Sequence, residues 1–103
     1  MLNQDNDNIG YLCGRLYYVL ESCDGISEGY MVEEASTRPV HGFPSLINRS
    51  QRALAKNKSK DKLVTEIIGK IDATTAFPEN LSMLDQGQFW FGYFAQRTDL
   101  GKE

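Results

Sequence analysis

The chain is poor in the residues that usually carry chemistry. It has one histidine, two cysteines and three prolines in 103 residues. Cys13 and Cys23 stand ten positions apart. On one helix that is about 15 Å along the axis, too far for a disulfide, so both are expected to be reduced, buried and cytosolic. Together with His41 they match no zinc-ligand spacing, and no metal is expected. No apolar run approaches the roughly 18 residues of a membrane span. The start, Met1-Leu2-Asn3-Gln4-Asp5-Asn6-Asp7-Asn8, lacks the basic and then apolar pattern of a signal peptide. The chain therefore reads as cytoplasmic. It shows no activated nucleophile, no carboxylates paired near a base and no glycine loop to cradle a phosphate. It reads as non-catalytic and without a cofactor.

What is present suits a globular domain: 41% hydrophobic, 24% charged and 11% aromatic residues. This length supports one core, not two. Residues 1–7 are polar and expected to be flexible, with the folded domain spanning 8–100. Asn8 or Asp7 can cap a first helix over about Asn8–Cys23. Ile9, Leu12, Cys13, Leu16, Leu20 and Cys23 form its apolar stripe. Gly10 and Gly14 leave a shallow groove on the flank of that stripe, suited to close approach by another helix. A second helix is expected over Ser27–Ser36, with Tyr30, Met31 and Ala35 facing inward, broken at Arg38-Pro39. Residues 39–44 read as a turn into a third helix over Phe43–Lys56, with Phe43, Leu46, Ile47 and Leu54 in one sector. Residues 57–62 read as a basic turn in which Ser59 or Asp61 caps a fourth helix. That helix carries Leu63, Val64, Ile67, Ile68 and Ile71 inside, with Lys62, Glu66 and Lys70 able to pair outside. A fifth helix is expected over Ser82–Thr98, opened by Ser82 and Asp85. Its run from Phe89 to Phe94 is apolar on nearly every side, which places it in the middle of a bundle or at a subunit contact. No strand-type alternation of useful length occurs. The fold class is all-α, a single-domain bundle of about five helices.

The charge is segregated. Residues 38–62 hold seven bases (Arg38, Arg49, Arg52, Lys56, Lys58, Lys60 and Lys62) and one acid, Asp61, for a net +6, while the rest of the chain carries −9. A positive edge of this kind can bind phosphates although the total charge is −3. Arg49, Arg52 and Lys56 share one face of the third helix, opposite its apolar sector, with no acid between them. The alternative is a solvated helix face followed by a lysine-rich loop. No aromatic residue interleaves the basic segment, so that segment gives no sign of base stacking. Its bases suit contacts to a nucleic-acid backbone without sequence readout.

Four segments in order resemble a known family. The stretch Asn8-Ile9-Gly10-Tyr11-Leu12-Cys13-Gly14-Arg15-Leu16-Tyr17-Tyr18-Val19-Leu20-Glu21 resembles the Gly-Arg-Leu…Val-Leu-Glu helix near the C-terminal end of the type I-C CRISPR Cascade large subunit. Ala35-Ser36-Thr37-Arg38-Pro39 followed by Phe43-Pro44-Ser45-Leu46 is similar to its Ala-Ser-x-x-Pro…Phe-Pro-x-Leu stretch. Phe77-Pro78 with Leu81, then Gln86-Gly87-Gln88-Phe89 and Gly92-Tyr93-Phe94-Ala95-Gln96-Arg97, resemble its closing signature. Ala95 stands where that family commonly has His, so no role of that His transfers. The likeness spans residues 8–98 and omits the body of the large subunit. A chain that begins at Met1 and holds only this helical domain resembles the separate small subunit made from an internal start.

The resemblance implies a structural role. Copies of the small subunit pack with the large subunit, the backbone subunits and a second copy of themselves, beside the crRNA and the target and non-target DNA strands of the R-loop. It adds Arg15 and Arg97 as candidate backbone contacts beside Arg38, Arg49, Arg52, Lys56, Lys58, Lys60 and Lys62. For Arg15 and Arg97, carbonyl capping or ion pairs with Glu21 or Asp99 stand as the alternative. Tyr93 and Gln96 read as core and capping residues, Trp90 as core or interface, and His41 as a turn residue. Two other functions fit the residues: a helical interaction module docking an acidic partner through its basic edge, and a small DNA-binding regulator.

Overall fold

The computed structural model describes residues 2–24, 29–74 and 76–101, and among them only helices and connecting turns occur. In chain order these are α1 (Ile9–Asp24), α2 (Gly29–Thr37), α3 (Pro39–Ala55), α4 (Lys58–Thr74) and α5 (Met83–Gly101). The all-α bundle stands as read from the sequence.

The centre of the bundle is α1. Asn8 caps it, its side-chain Oδ1 accepting from the Gly10 and Tyr11 amides at 2.8 and 3.2 Å. Leu12, Cys13, Leu16, Val19 and Leu20 are fully buried and Tyr11 and Tyr17 nearly so, which leaves α1 apolar well beyond one stripe. It packs against each of the other four helices, most extensively against α5. The sequence reading gave the middle of the bundle to α5 as one option. That option is corrected: on α5, Phe89 is buried, but Trp90, Phe91 and Phe94 are 40%, 67% and 51% exposed. Consecutive apolar residues point around a helix whether or not there are neighbours to receive them. Among the described helices only α1 packs against all four others.

The α1–α5 contact depends on absent side chains. A Cβ placed on Gly10 or Gly14 would overlap the backbone carbonyl of Asp85 or Phe89, and one on Gly92 that of Tyr11. The backbones of the two helices touch directly, as the groove at Gly10 and Gly14 implied. Gly92 supplies the reciprocal notch.

Two boundaries differ from expectation, and a third cannot be placed. Residues 25–28 lie outside the described residues, as do the Tyr30 and Met31 side chains, while Ala35 is fully buried as expected. The turn expected at residues 39–44 is helical. Arg38 alone separates α2 from α3, with Pro39 in the first turn and Pro44 inside the helix. Pro39 needs no amide partner at a helix start. The hydrogen bond missing at Pro44 is offset by its neighbour Phe43, fully buried and stacked on Phe77 at 5.0 Å between centroids. The basic turn expected at 57–62 is the first turn of α4. Asn57, not Ser59 or Asp61, caps it, with Oδ1 accepting from the Lys60 amide at 3.1 Å. The α5 start is as read, the Ser82 hydroxyl accepting from the Asp85 amide at 3.1 Å.

The segment before α1 makes specific contacts. The Asn3 amide donates to the Tyr11 hydroxyl at 2.9 Å and Asn6 Nδ2 to Gln88 at 3.3 Å. Lys70 donates to the Gln4 carbonyl at 2.7 Å and lies 3.9 Å from Asp7, so it faces this segment as well as the outside of α4.

The chain leaves α4 through Ala76, whose φ is 61° and whose amide donates to the Ile71 carbonyl at 2.9 Å. A helix C-terminus normally places glycine in this left-handed conformation, because a Cβ there is strained. Ala76→Gly is expected to raise stability by about 0.5–1 kcal/mol, read as a higher midpoint in urea with an unchanged slope.

Candidate nucleic-acid interface

Five of the nine candidate bases are exposed along α3 and the start of α4. Arg49 and Arg52 lie on the outer face of α3, Lys56 in the turn after it, and Lys58 and Lys62 on the first turns of α4. The opposite side of α3 is anchored by Phe43, Leu46, Ser50 and Leu54, all buried. The Ser50 hydroxyl returns a hydrogen bond to the Leu46 carbonyl at 2.9 Å, so its buried oxygen is satisfied within the helix. The positive face is therefore fixed by the core contacts behind it. The short α3–α4 connection through Asn57 carries it onto the next helix.

The other four bases are placed differently. Arg38 is exposed but is held by Glu34 at 3.0 Å one helical turn back. Lys60 is half-buried, its Nζ 3.3 Å from the Ser22 carbonyl near the C-terminal end of α1. Arg97 is exposed on α5, its guanidinium 6.0 Å from the Phe94 ring centroid. Arg15 lies inside the bundle at 3% exposure and offers no surface to a phosphate. Its Nε donates to Gln96 Oε1 at 2.9 Å. Arg15 Nη1 and Gln96 Nε2 have no hydrogen-bond partner among the described residues. Burial makes the guanidinium less basic than usual, while the fields of Tyr11, Asp99, Glu66 and Asp7 oppose that effect. An arginine nevertheless stays charged.

Gln96 is the partner that sequence reasoning missed for Arg15, having considered Glu21 and Asp99. Both residues lie in motif segments, but their separation of 81 positions hides the pairing. Glu21 instead accepts from the Tyr93 hydroxyl at 2.5 Å. Burial, and then this hydrogen bond, pushes the Tyr93 phenol above its usual range. Burial likewise pushes Tyr17 up to about 12, with Glu21 adding to it.

The Cys13 thiol is buried on α1 and pushed up to about 12, chiefly by desolvation and then by Asp85. At neutral pH it is a thiol, not a thiolate nucleophile. Among the described residues no group of three or more His, Cys, Asp or Glu side chains is placed to hold a metal ion. No described helix is long and apolar enough to cross a membrane.

Fold and charge together define a small helical-bundle protein with a segregated positive face on two consecutive helices. The chain matches the family of CRISPR-associated protein (Cas_Csd1) over residues 1–100 and belongs to that family. The type I-C resemblance carried by the four motif segments thus holds at the level of the family. A search of curated proteins gives no match.

Proposed function

We propose that this chain is the small subunit of a type I-C CRISPR surveillance complex, non-catalytic and cytoplasmic. It stabilises the crRNA-guided R-loop by contacts to the backbone of the target or displaced DNA strand, and packs against the large subunit, the backbone subunits and a second copy of itself. The observation that carries this reading is the set of exposed bases Arg49, Arg52, Lys56, Lys58 and Lys62 on a chain of the Cas_Csd1 family. Base pairing with the guide supplies sequence specificity in such complexes, so a subunit handling the strands needs charge and shape, not base readout.

The test is Arg49→Glu with Arg52→Glu in the assembled complex. Both positions are exposed, and a thermal melt of the variant beside the parent separates a loss of fold from a loss of binding. Target-DNA affinity is expected to fall, and the slope of log affinity against log salt to flatten by about 2. Unchanged affinity at both low and physiological salt would overturn the assignment of this face.

A further inference from the structure

Two positions carry residues poorly suited to their backbone, and both line one cleft. Gly69 stands inside α4, where alanine would favour the helix. Ala76 follows α4 in the left-handed conformation, where glycine would be unstrained. Elsewhere a helical glycine is offset by what it admits. Gly10, Gly14 and Gly92 let the backbones of α1 and α5 touch, and Gly42 lets α3 approach Ala35 of α2. A Cβ on Gly69, as on Gly87, would meet nothing within 4 Å. No contact among the described residues accounts for the glycine there.

The cleft holds about 350 Å³ between α4 and the turn that follows it. Ile68, Ile71, Ala76 and Phe77 line it beside Gly69, and Asp72 is the one charge among its described lining residues. Its shape is fixed from behind. Ile71 is 1% exposed and belongs to the core. Phe77 lies flat on buried Phe43, the ring planes 13° apart, and the strained turn at Ala76 leads directly into that stack. Alanine at 69 or glycine at 76 would each stabilise the free chain. The sequence instead keeps an open apolar slot at the expense of its own stability. Departures of this kind from the best local residue gather at functional sites.

The lining says what fits. An open slot with apolar walls suits one aliphatic or aromatic side chain delivered by another protein. Asp72 favours a lysine or arginine beside that anchor. So does the surrounding charge, which is −9 outside residues 38–62. We propose that the Gly69 cleft docks a basic segment of a neighbouring protein subunit, which inserts one apolar side chain beside Gly69 and sets a cation against Asp72. The inference rests on the small-subunit reading above and assigns one of its protein contacts to a surface. None of Arg49, Arg52, Lys56, Lys58 and Lys62 lines this cleft.

Gly69→Gln fills the slot with a polar side chain and favours the helix, so the free variant is expected to melt at or above the parent. The type I-C complex, assembled with its guide RNA, is then titrated with parent or variant chain and followed by native mass spectrometry. Half-occupancy is expected to need about tenfold or more of the variant. Asp72→Lys, at an exposed position, is expected to weaken occupancy in the same direction, and less so at high salt. Gly69→p-benzoylphenylalanine, irradiated in the complex, is expected to crosslink to a protein subunit at a peptide containing lysine or arginine. If both Gly69→Gln and Asp72→Lys occupy the complex as the parent does, the docking cleft is overturned and the small-subunit reading stands. If the crosslink forms to guide RNA or DNA, the protein occupant is overturned. If the parent chain itself does not join the complex, both readings fall.

Discussion

Gly14→Ala is expected to lose about 3 kcal/mol or more of stability, a large share of what a domain of this size possesses. The added methyl would overlap the Phe89 carbonyl carbon and oxygen and the Tyr93 amide nitrogen. These are backbone atoms in the middle of α5, which cannot rotate away as a side chain can. The helices must separate, and separation uncovers Leu12, Leu16, Tyr17 and Phe89, all now buried. The melting midpoint should drop by about 12 °C or more. The matched control is Gly87→Ala, also within α5, where nothing lies within 4 Å of the new Cβ. In an exposed helical position this change is expected to stabilise by about 0.5–1 kcal/mol. The two substitutions have identical chemistry, so opposite signs in a thermal melt isolate the close approach. A Gly14→Ala protein that melts with the parent would contradict the α1–α5 geometry.

Gln96→Leu is the second large effect. Leucine keeps much of the volume but removes the oxygen that accepts from Arg15 Nε. The guanidinium, 3% exposed, then loses the one side-chain acceptor seen for it among the described residues. The expected loss is about 2–4 kcal/mol. Arg15→Met together with Gln96→Leu removes both polar groups and should recover most of that loss, because a buried charge without a partner costs more than an apolar pair. Urea unfolding of the parent, the two single variants and the double closes the cycle. Additive losses in the double variant would mean that the two side chains do not act as a pair.

Much of the fold was legible because each helix carries its own local signal. Asn8 and Ser82 mark helix starts, Leu63 to Ile71 keep helical spacing, and Gly10 with Gly14 announce a close neighbour. Errors arose where local signals depend on distant partners. Pro44 reads as lying in the first turn of a helix, yet the helix begins at Pro39, and Phe43 stacks on Phe77 from another segment. The run Phe89 to Phe94 reads as the middle of a bundle or a subunit contact, and the first of these fails because half of it faces outward: periodicity reports which residues share a face and not whether anything covers it. The positive face at Arg49, Arg52 and Lys56 could be read directly, because its residues lie within two turns of one helix. The burial of Arg15 could not. Its partner Gln96 is at the far end of the chain, and an arginine in a sequence carries no mark of being enclosed.

Native mass spectrometry of the type I-C complex, co-expressed from its operon with guide RNA and this chain, tests the small-subunit role most directly. An integral number of 11.6 kDa copies is expected to ride on the guide-bound assembly, and their loss is expected to weaken target-DNA binding. A complex that forms complete without the chain, while the chain elutes alone, would contradict it and leave only membership of the family.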